Sequence, residues 1–191
     1  NPILCMPNAA QRKPIQKNTN CRSPLQVALQ YEPTMHNTHV ETAATLAEPP
    51  KRRWIEGALQ SVSRSFALTI PLVENNILGP IMVGYLEARI LDTFEDDIGR
   101  REITLEERIH SMNLLMEVLE SPSSLSAKKK AKTLVDSADE MVANPKYRDL
   151  VKNMGSILTV HDSFDDRTKE CMVRWLKEMN FGMQKFLRQE V

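Results

Sequence analysis

The stretch LGPIMVGYLEARILDTFEDD (residues 78–97) decides the fold. It is apolar nearly all round as far as Leu91, so it reads as a helix central to the molecule. It ends in three acids, Asp92, Glu95 and Asp96, spaced i, i+3 and i+4, and on a helix such positions share a face.

Directing three carboxylates into one small volume costs repulsion, which a cation normally offsets. Hard oxygen ligands at loose spacing suit Mg2+, which binds through a few carboxylates together with substrate phosphates. A solvated helix end is the competing reading for the acids alone, although an acidic last turn opposes the helix dipole. Their neighbours add to the case. Arg89 lies three residues before Asp92 and Tyr85 seven before it, one and two turns back on the acidic face. A structural ion pair from Arg89 to Asp92 or Glu87 is the competing reading for the arginine.

Upstream, WIEGALQSVSRSFALTI (residues 54–70) carries Trp54, Ile55, Ala58, Leu59, Val62, Phe66 and Ile70 mostly three or four apart, the pattern of a buried helical face. Pro71 is expected to end that helix within about a turn. Inside it, Ser63, Arg64 and Ser65 offer hydroxyl and guanidinium groups suited to phosphate oxygens. Downstream, Thr104 and Glu107 form a capping-box pattern before RIHSMNLLMEVLE (residues 108–120). SPSSLSAKKKAK (residues 121–132) is a polar connection whose lysines read as a solvated helix start. Residues 133–142, 147–164 and 168–191 continue the helical period, and no alternating strand pattern appears. The expectation is an all-α fold of about six helices with short loops.

With 191 residues, 41% of them hydrophobic, the chain has material for one core. Residues 1–50 hold seven of the eleven prolines and no sustained apolar period, so a disordered leader is expected there, with the helical domain in 51–191. His36 and His39, inside that leader, read as incidental. Lys plus Arg equals Asp plus Glu at 25 each and aromatics make up 5%, a balance that gives nucleic acid no basis as a partner. Cys5, Cys21 and Cys171 are odd in number and far apart, which fits a reducing compartment. The most apolar run, residues 77–91, is interrupted by Glu87 and Arg89 and is too short to span a bilayer. No signal-peptide pattern opens the chain, which starts with Asn, so its true start is expected upstream. The expected location is cytoplasmic or peripheral on a membrane.

SVSRSFALTI (residues 61–70) followed by GYLEARILDTFEDD (residues 84–97) resembles the squalene/phytoene synthase family, the acid motif being nearer the squalene-synthase form, Asp-Thr-hydrophobic-Glu-Asp-Asp. EMNFGMQKFL (residues 178–187) is similar to that family's Gly-Met-containing helix. The resemblance covers residues 54–191. It implies an isoprenoid-synthase-type helical bundle and Mg2+-dependent, head-to-head joining of two prenyl diphosphates, farnesyl diphosphate in the squalene-synthase case, through a cyclopropyl intermediate. Carried to matching positions, Asp92, Glu95 and Asp96 would hold Mg2+ on a substrate diphosphate. Ser63, Arg64, Tyr85 and Arg89 would surround that diphosphate, and Phe66 and Met183 would line the prenyl pocket. Squalene formation in this family also draws on NADPH, although nothing here resembles a GxGxxG fingerprint.

The family's second aspartate-rich motif and its tyrosine-bearing helix are expected beyond Val191, so the chain reads as the first half of a synthase with apolar helix faces uncovered. HDSFDD (residues 161–166) stands where the family has an inter-helix loop and reads as a solvated loop, not a second metal site. Trp175, Met179, Phe181 and Phe186 are expected in the core. The competing expectation is a non-catalytic helical interaction protein derived from a truncated synthase.

Overall fold

The computed structural model describes residues 49–96 and 102–189. Apart from Pro49 and Pro50, which open the first helix, the expected leader lies outside the described residues. Among those residues there are eight α-helices and no strand: α1 (Pro49–Val62), α2 (Arg64–Thr69), α3 (Asn75–Asp96), α4 (Leu105–Glu120), α5 (Leu125–Met141), α6 (Pro145–Lys152), α7 (Met154–Asp162) and α8 (Asp166–Leu187). A single 3-10 turn, Ile70–Leu72, contains Pro71 and closes α2, as the ring's missing N–H requires.

The all-α expectation is met, and two of the six expected helices are each broken in two. The break between α1 and α2 falls at Ser63, which is extended at φ −153° and ψ 115°, and whose hydroxyl accepts a hydrogen bond from the Phe66 N–H at 3.2 Å. A serine hydroxyl competes for backbone N–H groups and so restarts the helix. The second break falls at Asn153, whose side-chain amide donates back to the Asp149 carbonyl at 2.8 Å. Thr104 forms the anticipated capping box: Glu107 N–H donates to Thr104 Oγ1 at 3.2 Å, and Thr104 N–H donates to Glu107 Oε2 at 2.9 Å.

The central helix is α3, packed against α1, α4, α6, α7 and α8. Its buried side chains include Met82, Val83, Leu86, Glu87, Ile90, Leu91 and Phe94, spaced alternately one and three apart, so that they cover one broad face of about half the circumference. In contrast α8 is amphipathic: Leu176, Asn180, Gln184 and Leu187 are buried at spacings of four, four and three. Gln184 Nε2 donates to Asn113 Oδ1 of α4 at 2.6 Å and to Asn180 Oδ1 at 3.0 Å, which ties α8 to α4.

That stripe corrects the expectation for the aromatic residues of α8. Met179 is half-buried against the core, but Trp175, Phe181 and Phe186 fall between the stripe positions and are 53%, 70% and 58% exposed. HDSFDD is corrected too. Asp162 ends α7 and Asp166 opens α8, and of the three only Asp165 lies between the helices, where the Thr168 hydroxyl donates to it at 2.6 Å and the Thr168 N–H at 3.0 Å, holding its carboxyl below the ordinary range. His161 and Phe164, however, are buried. No helix of the described residues is long and apolar enough to cross a membrane.

Removing the Thr104 hydroxyl strands the Glu107 N–H, so Thr104→Ala is expected to lower the unfolding free energy by about 1 kcal/mol and the Tm by about 3 °C. Urea and thermal denaturation measure it; a variant as stable as the parent would show that the capping box contributes nothing.

Candidate functional site

The site is built on the last three turns of α3. Asp92, Glu95 and Asp96 each offer a carboxylate oxygen, and the three oxygens lie within 4.8 Å of one another. Glu95 is largely buried, Asp92 half-buried and Asp96 exposed, so the cluster runs from the protein interior to solvent. From α4, Arg108 Nη1 donates to the Glu95 backbone carbonyl at 2.8 Å. A cation at the end of α3 answers the unfavourable meeting of acids and helix dipole.

One turn back, Arg89 Nη1 donates to Asp92 Oδ2 at 2.5 Å and Nη2 to the Tyr85 hydroxyl at 3.1 Å. The ion pair with Asp92 is therefore the one formed; Glu87 is not its partner. The guanidinium carbon also lies 5.8 Å from the Tyr85 ring centroid and 5.6 Å from that of Tyr147 on α6, both within cation–π range. The Phe66 ring of α2 meets Tyr85 with centroids 4.8 Å apart and planes tilted by 39°. Ser63's restart of the helix is what brings Phe66 to this contact, and Phe66 remains 48% exposed.

Burial works against the Arg89 charge, yet the Tyr85 hydrogen bond and the Asp92 carboxylate outweigh it, and the net shift is upward. Burial pushes the Asp92 carboxyl above its ordinary range, with Arg89 opposing and Asp96 adding to the rise. The ion pair is lopsided for a physical reason. Arg89 is surrounded by a carboxylate and two phenol rings, all favourable to a cation, whereas Asp92 shares its space with a second acid.

Of the residues anticipated for the site, Asp92, Glu95 and Asp96 converge, Arg89 and Tyr85 are hydrogen-bonded to them or to each other, and Phe66 joins through its ring. Ser63 stands at the N-cap of α2, with its hydroxyl engaged, and Arg64 follows it, exposed. Met183 is half-buried against the core on α8. Neither Arg64 nor Met183 is part of the hydrogen-bonded group. Tyr147 and Arg108 were missed by sequence reading. Both come from other helices, and neither carries a pattern that links it to α3; only the unpaired dipole at an acidic helix end hints that a cation such as Arg108 is needed.

Two solved structures of a squalene synthase, TcSQS, one with the ligand E5700 and one with the ligand BPH1237, superpose on this chain with a TM-score of 0.57 each. The fold is squalene-synthase-like. Sequence identity is 23% and 22%, over 72% of this chain and 35% and 36% of those chains. The chain thus spans about a third of the length of the structures that it matches. No protein-family model matches the sequence, and no curated protein does.

The raised Asp92 pKa has a measurable sign. The folded state holds that proton to higher pH than the unfolded chain, so the stability it contributes is full below 3.8 and is lost as pH rises through the raised value. In metal-free buffer Asp92→Asn is therefore expected to gain stability relative to the parent between about pH 4 and pH 7. Urea midpoints at the two pH values measure the difference, and a constant gap would show that Asp92 is not perturbed.

Proposed function

We propose that the chain binds the diphosphate of a prenyl substrate through Mg2+ on the acidic face of α3, as part of a synthase that joins two prenyl diphosphates head to head in the manner of squalene synthase. The observation that carries this reading is the convergence of three carboxylate oxygens within 4.8 Å beside an arginine that is already bonded to one of the acids. The donor set fits magnesium, being all oxygen and anionic, and Asp92 spends only Oδ2 on Arg89. When bound there, magnesium supplies positive charge that neutralises a departing diphosphate.

The chain's own residues do the remainder. Asp92, Glu95 and Asp96 hold the metal. Arg89, with its planar fork kept in place by Tyr85 and Tyr147, stabilises charge on the diphosphate oxygens. Phe66 and Tyr85 present a ring surface that keeps water from a carbocation, and Met183 extends the apolar lining. Ser63 and Arg64 meet the diphosphate from α2. A reductive step would call on NADPH bound by parts other than the residues discussed.

Calorimetry with Mg2+ and a non-hydrolysable farnesyl diphosphate analogue is expected to show metal-dependent binding. Asp92→Asn together with Asp96→Asn should weaken it by about tenfold to a hundredfold, the value of one or two charge-assisted contacts. Arg89→Lys keeps the charge and loses the fork, so affinity falls while the Tm scarcely moves. Binding by the double variant as tight as by the parent would sink the assignment.

A second reading, a non-catalytic helical interaction module, is supported by the exposed apolar side chains of Leu68, Leu72, Trp175, Phe181 and Phe186. It expects no response to Mg2+ and diphosphate, and an association, seen by light scattering, that Phe181→Ser with Phe186→Ser abolishes.

A further inference from the structure

Glu87 of α3 and His161 of α7 form a buried pair that the proposed function does not use. They are 1% and 0% exposed, and His161 Nδ1 lies 2.7 Å from Glu87 Oε1. Several charged groups on the surrounding helices are engaged elsewhere. On α1, Arg52 pairs with Glu56; on α6, Arg148 and Lys152 reach Asp139 of α5, and Tyr147 meets Arg89. On α5, Lys130 reaches Glu117 and Lys132 reaches Asp136. On α4, Arg108 donates to the Glu95 carbonyl; on α8, Lys169 pairs with Asp166 and Lys177 with Glu120. Burial pushes the Glu87 carboxyl upward, and His161 is the one group that opposes it. The outer atoms of the pair, Glu87 Oε2 and His161 Nε2, have no hydrogen-bond partner. Each residue thus depends on the other for its only polar contact.

We propose that the Glu87–His161 pair is a positioning device that fixes the rotation of α3 and so presents Tyr85, Arg89, Asp92 and Asp96 as one outward face. Apolar packing is non-directional, and the buried face of α3 spans about half its circumference, so hydrophobic contact alone does not select one rotation within that breadth. A hydrogen bond does, because it holds one side chain to one partner at one angle. With about 100° between successive residues, Arg89 stands roughly 200° around the helix from Glu87. Holding Glu87 against α7 therefore turns Arg89 to the opposite side, where the Tyr147 ring of α6 receives it. A single polar residue in a coiled-coil seam selects register by the same means.

The effect on ligand binding rests on the magnesium–diphosphate reading; the effect on Arg89 does not. The test uses the full chain carrying Glu87→Leu with His161→Leu. Replacing both members of a buried pair by apolar side chains of similar volume usually preserves stability, so the Tm is expected to stay or rise. The Arg89 side-chain Nε–H resonance, recognised by its loss in Arg89→Lys, should shift toward exposed arginines and exchange with water about tenfold faster. Magnesium-dependent affinity for inorganic diphosphate should fall about tenfold with it. Glu87→Gln, which still bonds to Nδ1, should keep both properties. An unchanged Arg89 resonance and exchange rate in the double variant overturns the proposal. If the parent itself binds no diphosphate, the ligand reading fails and the Arg89 signal alone decides. If the double variant does not fold, Glu87→Leu is compared with Glu87→Gln: loss of the signal in the first alone supports the pair, and equal signals overturn it.

Discussion

A helix enclosed by five others has to satisfy every side chain it carries, and α3 meets that constraint while holding Glu87, Arg89, Asp92 and Glu95 along with its apolar residues. Each ionic group there has a specific answer: His161 for Glu87, Asp92 and two phenol rings for Arg89. Burying an uncompensated charge costs several kcal/mol, more than most single contacts return. The rest of the bundle is arranged around these answers. α7 is placed where His161 meets Glu87, α6 where Tyr147 covers Arg89, and α4 where Arg108 closes the end of α3.

The helices were legible in the sequence because spacing alone carries their signal. The three acids were legible for the same reason, since i, i+3 and i+4 share a face whatever lies opposite. Residues from distant helices were not. Tyr147 and Arg108 reach α3 only after folding, and His161 sat in a segment that its aspartates made look like loop. The buried stripe of α8 was misread because aromatic residues outweigh Asn180 and Gln184 on any hydrophobicity count, whereas the amides are the ones that bond to α4. Composition says which residues favour burial; amide geometry decided which face of α8 turned inward.

The candidate site also shows how a cationic partner prepares an anionic cluster. Arg89 relieves part of the repulsion between Asp92 and Asp96, yet burial still holds the Asp92 carboxyl above its ordinary range. A divalent ion bound there, as proposed, would remove the repulsion that Arg89 relieves only in part.

The extended backbone at Ser63 has a consequence for how the molecule tolerates change in length. Because the hydroxyl cap starts α2 afresh, the azimuth of Phe66 is set by its distance from Ser63, not by the phase of α1. An inserted residue within α1 would turn that helix's own stripe by about 100° and stop at the cap. The contact between the Phe66 and Tyr85 rings would keep its place, insulated from variation upstream as a hinge pin is from the length of the door.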